Sequence, residues 1–311
     1  MMGLTSLVKR NTKLYFKDKG MFFSSLITPI ILLVLYSTFL KKVYDDSFRS
    51  ALISAGASAS DAVINGCVGG QLISSLLAVS CVTVSFCSNL LMIKDKTSGA
   101  RHDLTVTPVR FGTLGLGYYL STLISTMIIT AAALFACLLY LGAAGWYLSL
   151  SDVLLMVLDV FLLTMFGTAL SSCINFFLST DGQASAVGTI VSAGYGFICG
   201  AYMPISNFGT GLQKVLSFLP GTYGTSLLRN HAMRGVFAEM ADSGFPPEAV
   251  DAIKQSVDCS VDFFGKSVGI GGMYIILCAS VALLIGIYFL LMLLRERSSD
   301  NGFRTVDIGC A

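Results

Sequence analysis

An acidic side chain interrupts one of the long apolar runs of the chain. Asp159 lies about six residues inside the run 153–178, or roughly 9 Å along a helix. A charged group is costly inside a bilayer and is by default a candidate for function, such as holding a substrate cation or carrying a proton. A structural carboxylate that bonds neighbouring hydroxyls or faces a wet vestibule fits equally, and the sequence leaves both interpretations open.

The other candidates for catalysis lack the partners that catalysis requires. We place the two histidines, His102 and His231, in different loops, and neither has a Cys, Asp or Glu at zinc-binding spacing. The tripeptide 265–267, Gly-Lys-Ser, is similar to the end of a phosphate-binding loop, but Ser260 stands where that loop needs a glycine. The sequence therefore predicts a protein that is not an enzyme and that binds no nucleotide, metal or other cofactor itself.

The composition is typical of a membrane protein. Hydrophobic residues make up 54% of the 311 residues and charged residues only 12%, with a mean hydropathy of +0.77. This number of charged residues is too small to cover the surface of a water-soluble protein. The bilayer must therefore be the solvent for much of the chain. The net charge of +2 is not gathered in one basic patch, and no nucleic-acid partner is expected.

Six apolar segments are long enough to cross a membrane, which takes about 20 residues at 1.5 Å each. They are residues 21–40, 68–93, 113–144, 153–178, 184–203 and 268–294. These segments predict an all-α polytopic membrane protein, with a six-helix transmembrane domain over 21–294 and a tail over 295–311.

The basic residues predict the orientation of these segments. Most of them lie before the first segment, in the loop 94–110 and in the tail, which fall on one side if six segments alternate; that side should be cytoplasmic. Residues 1–20 place leucines and lysines on opposite helical faces. This pattern predicts an amphipathic helix in the cytoplasmic interface near anionic lipid, although an irregular basic flank would set the same topology.

Small residues recur every four positions in the fifth segment. They are Ala184, Gly188, Ser192, Gly196 and Gly200. Residues at i and i+4 share a helix face, and a small-residue face lets two membrane helices approach closely. The stripe fits a contact between subunits, a gate against another helix, or ordinary packing within one bundle.

The segment 204–267 predicts an external hairpin and loop before the last span. Its part 205–234 is too apolar for a free loop but is broken at Leu219-Pro220-Gly221, so we expect two short helices that enter the outer leaflet as a re-entrant hairpin. A further helix should begin near Pro246. Cys67 and Cys259 both fall on the external side, and they fit either a disulfide or two free thiols.

The cytoplasmic segment 94–110 carries a recognisable motif. The pattern acidic-basic-x-x-Gly-Thr-x-x-x-Leu-x-x-Thr-Pro-Val is matched here by Asp95, Lys96, Gly99, Leu104, Thr107, Pro108 and Val109, with Ala100 in place of the threonine. Met203-Pro204-Ile205 and the residues 219–223 add a second match. Over nearly its whole length the chain resembles the permease subunit of an ABC transporter of the ABC-2 (type V exporter) class.

The resemblance implies a division of labour between chains. A coupling helix would dock on a separate ATP-binding subunit, which would hold ATP and Mg²⁺, through Asp95, Lys96, Gly99, Arg101, His102, Asp103 and Leu104. A second permease copy or paralogue would pair with this chain near the first and fifth spans, in a plasma (inner) membrane. Export would be the direction of transport. The alternative from the residues alone is a stand-alone proton-coupled secondary transporter that uses Asp159.

Overall fold

The computed structural model describes residues 2–54, 59–106 and 109–307. Its helices are α1 (Met2–Lys17), α2 (Lys19–Leu35), α3 (Lys41–Ser54), α4 (Asp61–Thr97), α5 (Ala100–Val106), α6 (Phe111–Ala144), α7 (Leu150–Phe177), α8 (Asp181–Ile198), α9 (Thr210–Leu216), α10 (Pro220–Asp242), α11 (Pro247–Ser256) and α12 (Ile270–Asp307). Two short antiparallel strands, β1 (Val261–Phe263) and β2 (Lys266–Val268), pair between α11 and α12.

Five helical stretches of the described ranges are long and apolar enough to cross a membrane. They are Lys19–Ser50, Asp61–Thr97, Phe111–Ala144, Leu150–Phe177 and Ile270–Glu296. The first joins α2 to α3 through a π-helical turn, Tyr36–Leu40, so the helix continues past the predicted end at Leu40. This arrangement is that of an all-α polytopic membrane protein, as the composition predicts.

The predicted fifth span is the one that differs. Its helix, α8, has 18 residues and ends at Ile198 rather than Met203. At 1.5 Å per residue it is about 27 Å long, close to the roughly 30 Å of a bilayer core, but its small and polar residues make it less apolar than the other five. The count of six spans stays a prediction, and it depends on whether α8 crosses.

Helix α4 occupies the centre of the bundle. It packs against α2, α6, α7, α8 and α10, and nearly all of its side chains are buried. Its many serines are buried and therefore face neighbouring helices. Asn89, for example, donates two 3.1 Å hydrogen bonds to the hydroxyls of Ser171 and Ser172 on α7. Buried polar groups need such partners, so this seam fixes α4 against α7.

Helix α1 lies against α6 with an amphipathic pattern. Leu7, Asn11 and Tyr15 recur at every fourth position and are buried, whereas Lys9 and Lys13 are exposed. The hydroxyl of Tyr15 donates a 2.6 Å hydrogen bond to Ser25 of α2, which fixes the angle between the two helices. Part of the apolar face of α1 is thus covered by the protein itself.

The break predicted at Leu219-Pro220 is present, but the helices around it differ from the expectation. Pro220 begins α10 at a position where the missing N–H costs nothing. The expectation of two short helices is wrong for the second, because α10 has 23 residues and packs against α4, α7 and α12. Its Gly235 lies so close to the carbonyl oxygen of Tyr147 that a Cβ atom there would overlap it. The apolar character of 205–234 thus reflects burial within the bundle, and its depth in a membrane stays a prediction.

Candidate functional site

The motif segment connects α4 to α6 by the single short helix α5. Gly99 ends α4 with φ +81°, a left-handed conformation that favours glycine, and its carbonyl oxygen accepts a 2.8 Å hydrogen bond from the N–H of His102. This turn sets the start of α5. Thr107 and Pro108 of the motif lie outside the described residues.

Two of the seven predicted coupling residues, Asp95 and Arg101, are buried. Asp95 is 4% exposed and accepts hydrogen bonds from Arg10 at 2.8 Å and from the hydroxyl of Tyr118 at 2.7 Å. The carboxylate therefore ties α1 and α6 to the end of α4. Hydrogen bonding to Asp95 raises the pKa of the Arg10 guanidinium, outweighing the opposing effect of its partial burial.

Lys96 also acts within the chain. Its ammonium group donates to the carbonyl oxygens of Asn175, Phe176 and Leu178 at 3.0, 2.9 and 2.7 Å. These carbonyls lie at the C-terminal end of α7, where helix carbonyls lack N–H partners one turn further on, although the Asn175 oxygen also accepts the N–H of Leu178. A cation there also complements the helix dipole. Lys96 thus joins the end of α4 to the end of α7.

The remaining predicted coupling residues are divided between buried and exposed positions. Arg101 is buried, and its burial, with the nearby Arg295, lowers the pKa of its guanidinium. Gly99, His102 and Asp103 are exposed, and Leu104 is half-buried. The segment therefore has a small outward surface, which is formed by Gly99, His102 and Asp103, with Thr97 and Ser98 beside them. Contacts of Asp95, Lys96 and Arg101 with the rest of the protein fix the position of this surface.

A buried cluster joins three helices around Asp159. The Asp159 carboxylate is fully buried, lies 2.6 Å from Nδ1 of His231 on α10, and accepts a 2.7 Å hydrogen bond from the hydroxyl of Tyr274 on α12. The placement of His231 in a loop is wrong, because it lies inside α10 and is 3% exposed. The one signal in the sequence was that the part 205–234 is too apolar for a free loop, which fits a packed helix.

A second buried charge lies two residues before His231 on α10. Arg229 is 1% exposed, pairs with Asp258 at 3.6 Å, and donates to the carbonyl oxygen of Gly200. Asp258 in turn accepts from the backbone N–H groups of Ile205 and Ser206. This pair ties α10 to the turn after α8 and to the loop after α11, which gives it a structural role.

The small-residue stripe is not one uninterrupted face. Ala184 is buried, and a Cβ on Gly196 would overlap the ring of Tyr202 in the same chain. Gly188 has open space around its Cα, Ser192 is half-buried, and Gly200 lies beyond the end of α8 with φ +72°. The stripe therefore serves internal packing at Gly196 and leaves room for another helix at Gly188; a subunit contact there stays a prediction.

The cysteines and possible metal ligands add no further site. Cys67 and Cys259 are both buried and free, and burial raises the pKa of the Cys259 thiol to about 12. Among the described residues, no group of three or more His, Cys, Asp or Glu side chains is arranged to hold a metal ion.

Comparison with known families decides the assignment that the motif suggests. The family model for ABC-2 type transporters matches residues 2–232, nearly three quarters of the chain. The chain belongs to the ABC-2 type transporter family. No curated protein matches it in a parallel search.

Most of the helical bundle lies within the range matched to the ABC-2 type transporter family. The matched range contains α1, the motif segment and the Asp159 helix, and it ends within α10 just after His231. The family is a membrane permease domain of ABC transporters and not itself a nucleotide-binding domain, and it is generally paired with an ATP-binding subunit. The helices α11 and α12 and the β-hairpin lie outside the match.

Proposed function

We propose that this chain is the permease subunit of an ATP-driven exporter and that it couples to a separate ATP-binding subunit through the segment 94–110. The observation that carries the proposal is the outward surface at Gly99, His102 and Asp103, in a segment that lies within the range matched to the ABC-2 family. ATP and Mg²⁺ would bind on the partner. This chain would form the path through the membrane.

The contacts beneath α5 suggest how a movement would spread. Asp95 joins α4 to α1 and α6, and Lys96 joins α4 to α7. A partner that pushes on α5 would therefore move the ends of four helices together instead of bending one loop. Coupling of this kind requires a rigid element whose position is influenced both by the ATP-binding partner and by the path through the membrane.

The proposed assembly contains at least two kinds of chain. A second permease copy or a paralogue would complete the path, and membrane lipid would surround it. We place the chain in a plasma (inner) membrane with residues 1–20 and 295–311 on the cytoplasmic side, because the basic residues concentrate there. Export follows from the resemblance to type V exporters.

The decisive experiment is purification of the chain from its native membrane in mild detergent, with mass spectrometry of the co-purifying proteins. We expect an ATP-binding subunit with a phosphate-binding loop, and we expect the double variant His102→Ala, Asp103→Ala to lose it. The matched control is Asp242→Ala, an exposed carboxylate at the far end of α10. Intact dimers that never contain an ATPase would contradict the proposal.

A stand-alone proton-coupled carrier that uses Asp159 is the second candidate. Both Asp159 oxygens have partners within the chain, and the side chain is fully enclosed, which favours a structural carboxylate over a transport site. The carrier predicts that Asp159→Asn abolishes substrate movement driven by a proton gradient in liposomes that contain this chain alone.

A further inference from the structure

A cavity of about 540 Å³ lies between the second half of α10, α11 and the start of α12. Arg234 and Lys254 line it together with His231, and Phe237, Phe245 and Ile270 form apolar parts of its wall. It is separate from the surface at α5, and the residues that line it beyond His231 fall outside the range matched to the family. Its mixture of cations and apolar side chains needs an explanation.

The polar side of the cavity includes a guanidinium that is only partly engaged. Arg234 is 55% exposed and forms an ion pair with Asp152, whose Oδ1 lies 3.0 Å from its Nε, whereas its two terminal amino groups make no hydrogen bond to a described residue. Arg side chains bind phosphate through two parallel N–H groups, so these terminal amino groups are suited to such a group.

The acidic groups near the cavity are already engaged. Asp152 is 2% exposed; one of its oxygens caps the start of α7 through Ser149, and the other pairs with Arg234. Asp159 lies behind His231 and is hydrogen-bonded to its Nδ1. The other ring nitrogen of His231, Nε2, makes no hydrogen bond to the described residues. Asp251 pairs with Lys254 at 3.3 Å, and both are well exposed. Arg234 is therefore the principal anion-binding group, with Lys254 and His231 beside it.

The apolar side of the cavity faces the beginning of a membrane helix. Ile270 is the first residue of α12, one of the five apolar stretches, and is 44% exposed. Phe237 follows Arg234 on α10, and the Lys254 ammonium lies 5.7 Å from its ring centre. Cations above an apolar wall at the end of a membrane helix match the headgroup and the upper acyl chain of a phospholipid.

We propose that this cavity is a binding site for an anionic phospholipid, whose phosphate contacts Arg234 and Lys254 and whose acyl chain lies along Phe237 and Ile270. The bound lipid would bridge α10 and α11 to α12, and so brace the helices that the Asp159–His231–Tyr274 cluster joins. This inference does not depend on the identity of the ATP-binding partner.

The test uses phosphatidylglycerol with a photoactivatable diazirine in its acyl chain, incorporated with unlabelled phosphatidylcholine into nanodiscs that hold the purified complex. Adducts are mapped by mass spectrometry. We expect labelling of the peptides that contain Phe237 and Ile270, at least about fivefold above that from the matching phosphatidylcholine probe. Arg234→Gln should reduce the labelling to the phosphatidylcholine level, whereas Arg234→Lys should retain part of it.

The control is Lys266→Gln, which removes an exposed lysine of β2 outside the cavity; its labelling should equal that of the unaltered chain. Equal labelling by the two lipids, or labelling that Arg234→Gln leaves unchanged, would overturn the proposal. Displacement of the probe by millimolar inorganic phosphate would overturn it too, because a simple anion site would then explain the cations. A thermal unfolding curve of each variant shows whether a loss of labelling reflects a loss of fold.

Discussion

Two aspartates of one motif have different surroundings, and this difference decides what each can do. Asp95 is buried between Arg10 and Tyr118, whereas Asp103 is exposed on α5. Asp95→Ala leaves a partly buried guanidinium and a buried hydroxyl without their acceptor, at a cost of about 3 kcal/mol. We expect a clearly lower thermal unfolding temperature in detergent.

Asp103→Ala is the companion variant, since it removes the same group from the same motif. An exposed substitution usually changes stability by less than about 0.5 kcal/mol, so the unfolding temperature should not move. Co-purification of an ATP-binding subunit should weaken instead. A normal unfolding temperature for Asp95→Ala would show that its ion pair contributes little and would return Asp95 to the set of docking residues.

The pair Asp18–Lys94 gives a pH dependence with a definite sign. Its hydrogen bond from Lys94 holds the pKa of Asp18 below the ordinary value, so the folded state is favoured when the carboxyl is ionised. This contribution is present above the unfolded pKa of about 3.9 and is lost as pH falls from there through the lower folded pKa. Both side chains are partly exposed, so we expect less than about 1 kcal/mol.

Asp18→Asn isolates this charge, because asparagine can also cap the start of α2 as Asp18 does. The variant should unfold at a slightly lower temperature at pH 7, and the difference from the unaltered chain should shrink as pH falls below about 3.9. Thermal unfolding between pH 7 and pH 3 measures it. A difference that stays constant with pH would assign the effect to the cap instead of the charge.

At the scale of the helices, one lysine holds the end of α7. Lys96→Met removes the donor to three carbonyl oxygens of its last turn while keeping a side chain of similar length. Hydrogen bonds from a charged group contribute about 1.5–3 kcal/mol each at most, so the turn should fray. We expect faster amide hydrogen exchange in residues 174–178.

Lys13→Met is the matched control, because Lys13 is an exposed lysine of α1; it should leave exchange in α7 unchanged. Unaltered protection of 174–178 in Lys96→Met would mean that water replaces the ammonium without loss, and the proposed mechanical link between α4 and α7 would fail.

The helices also show what the sequence could and could not predict. The length of the apolar segments correctly predicted the strongly apolar spans, and Pro220 correctly predicted the start of α10. Periodicity did not reveal that α10 is a buried helix, because glycines and polar groups that pack against specific neighbours look like loop residues in one dimension. His231 was missed for the same reason: its partner Asp159 is 72 residues away, and only the packing of α7 on α10 joins them.

At the scale of the whole molecule, the central position of α4 explains how a membrane helix can carry many polar side chains. A helix surrounded by five others can carry serines and an asparagine, since every neighbour offers a partner. The peripheral helices α2 and α12 are instead strongly apolar and largely exposed in the isolated chain. Lipid or another subunit must cover those faces. The candidate helix for a contact with another subunit is α8, which has open space at Gly188.

Gly188→Leu tests whether two permease chains meet along α8. No atom lies within 4 Å of a Cβ built on Gly188, so leucine fits the single chain and should leave its unfolding temperature unchanged. If a second permease helix packs there, the larger side chain prevents close approach, and mass photometry in detergent should show a shift from dimers to single chains. Gly286→Leu on α12 is the matched control, since that glycine also has open space and is exposed. Loss of pairing in Gly286→Leu with normal pairing in Gly188→Leu would move the interface from α8 to α12.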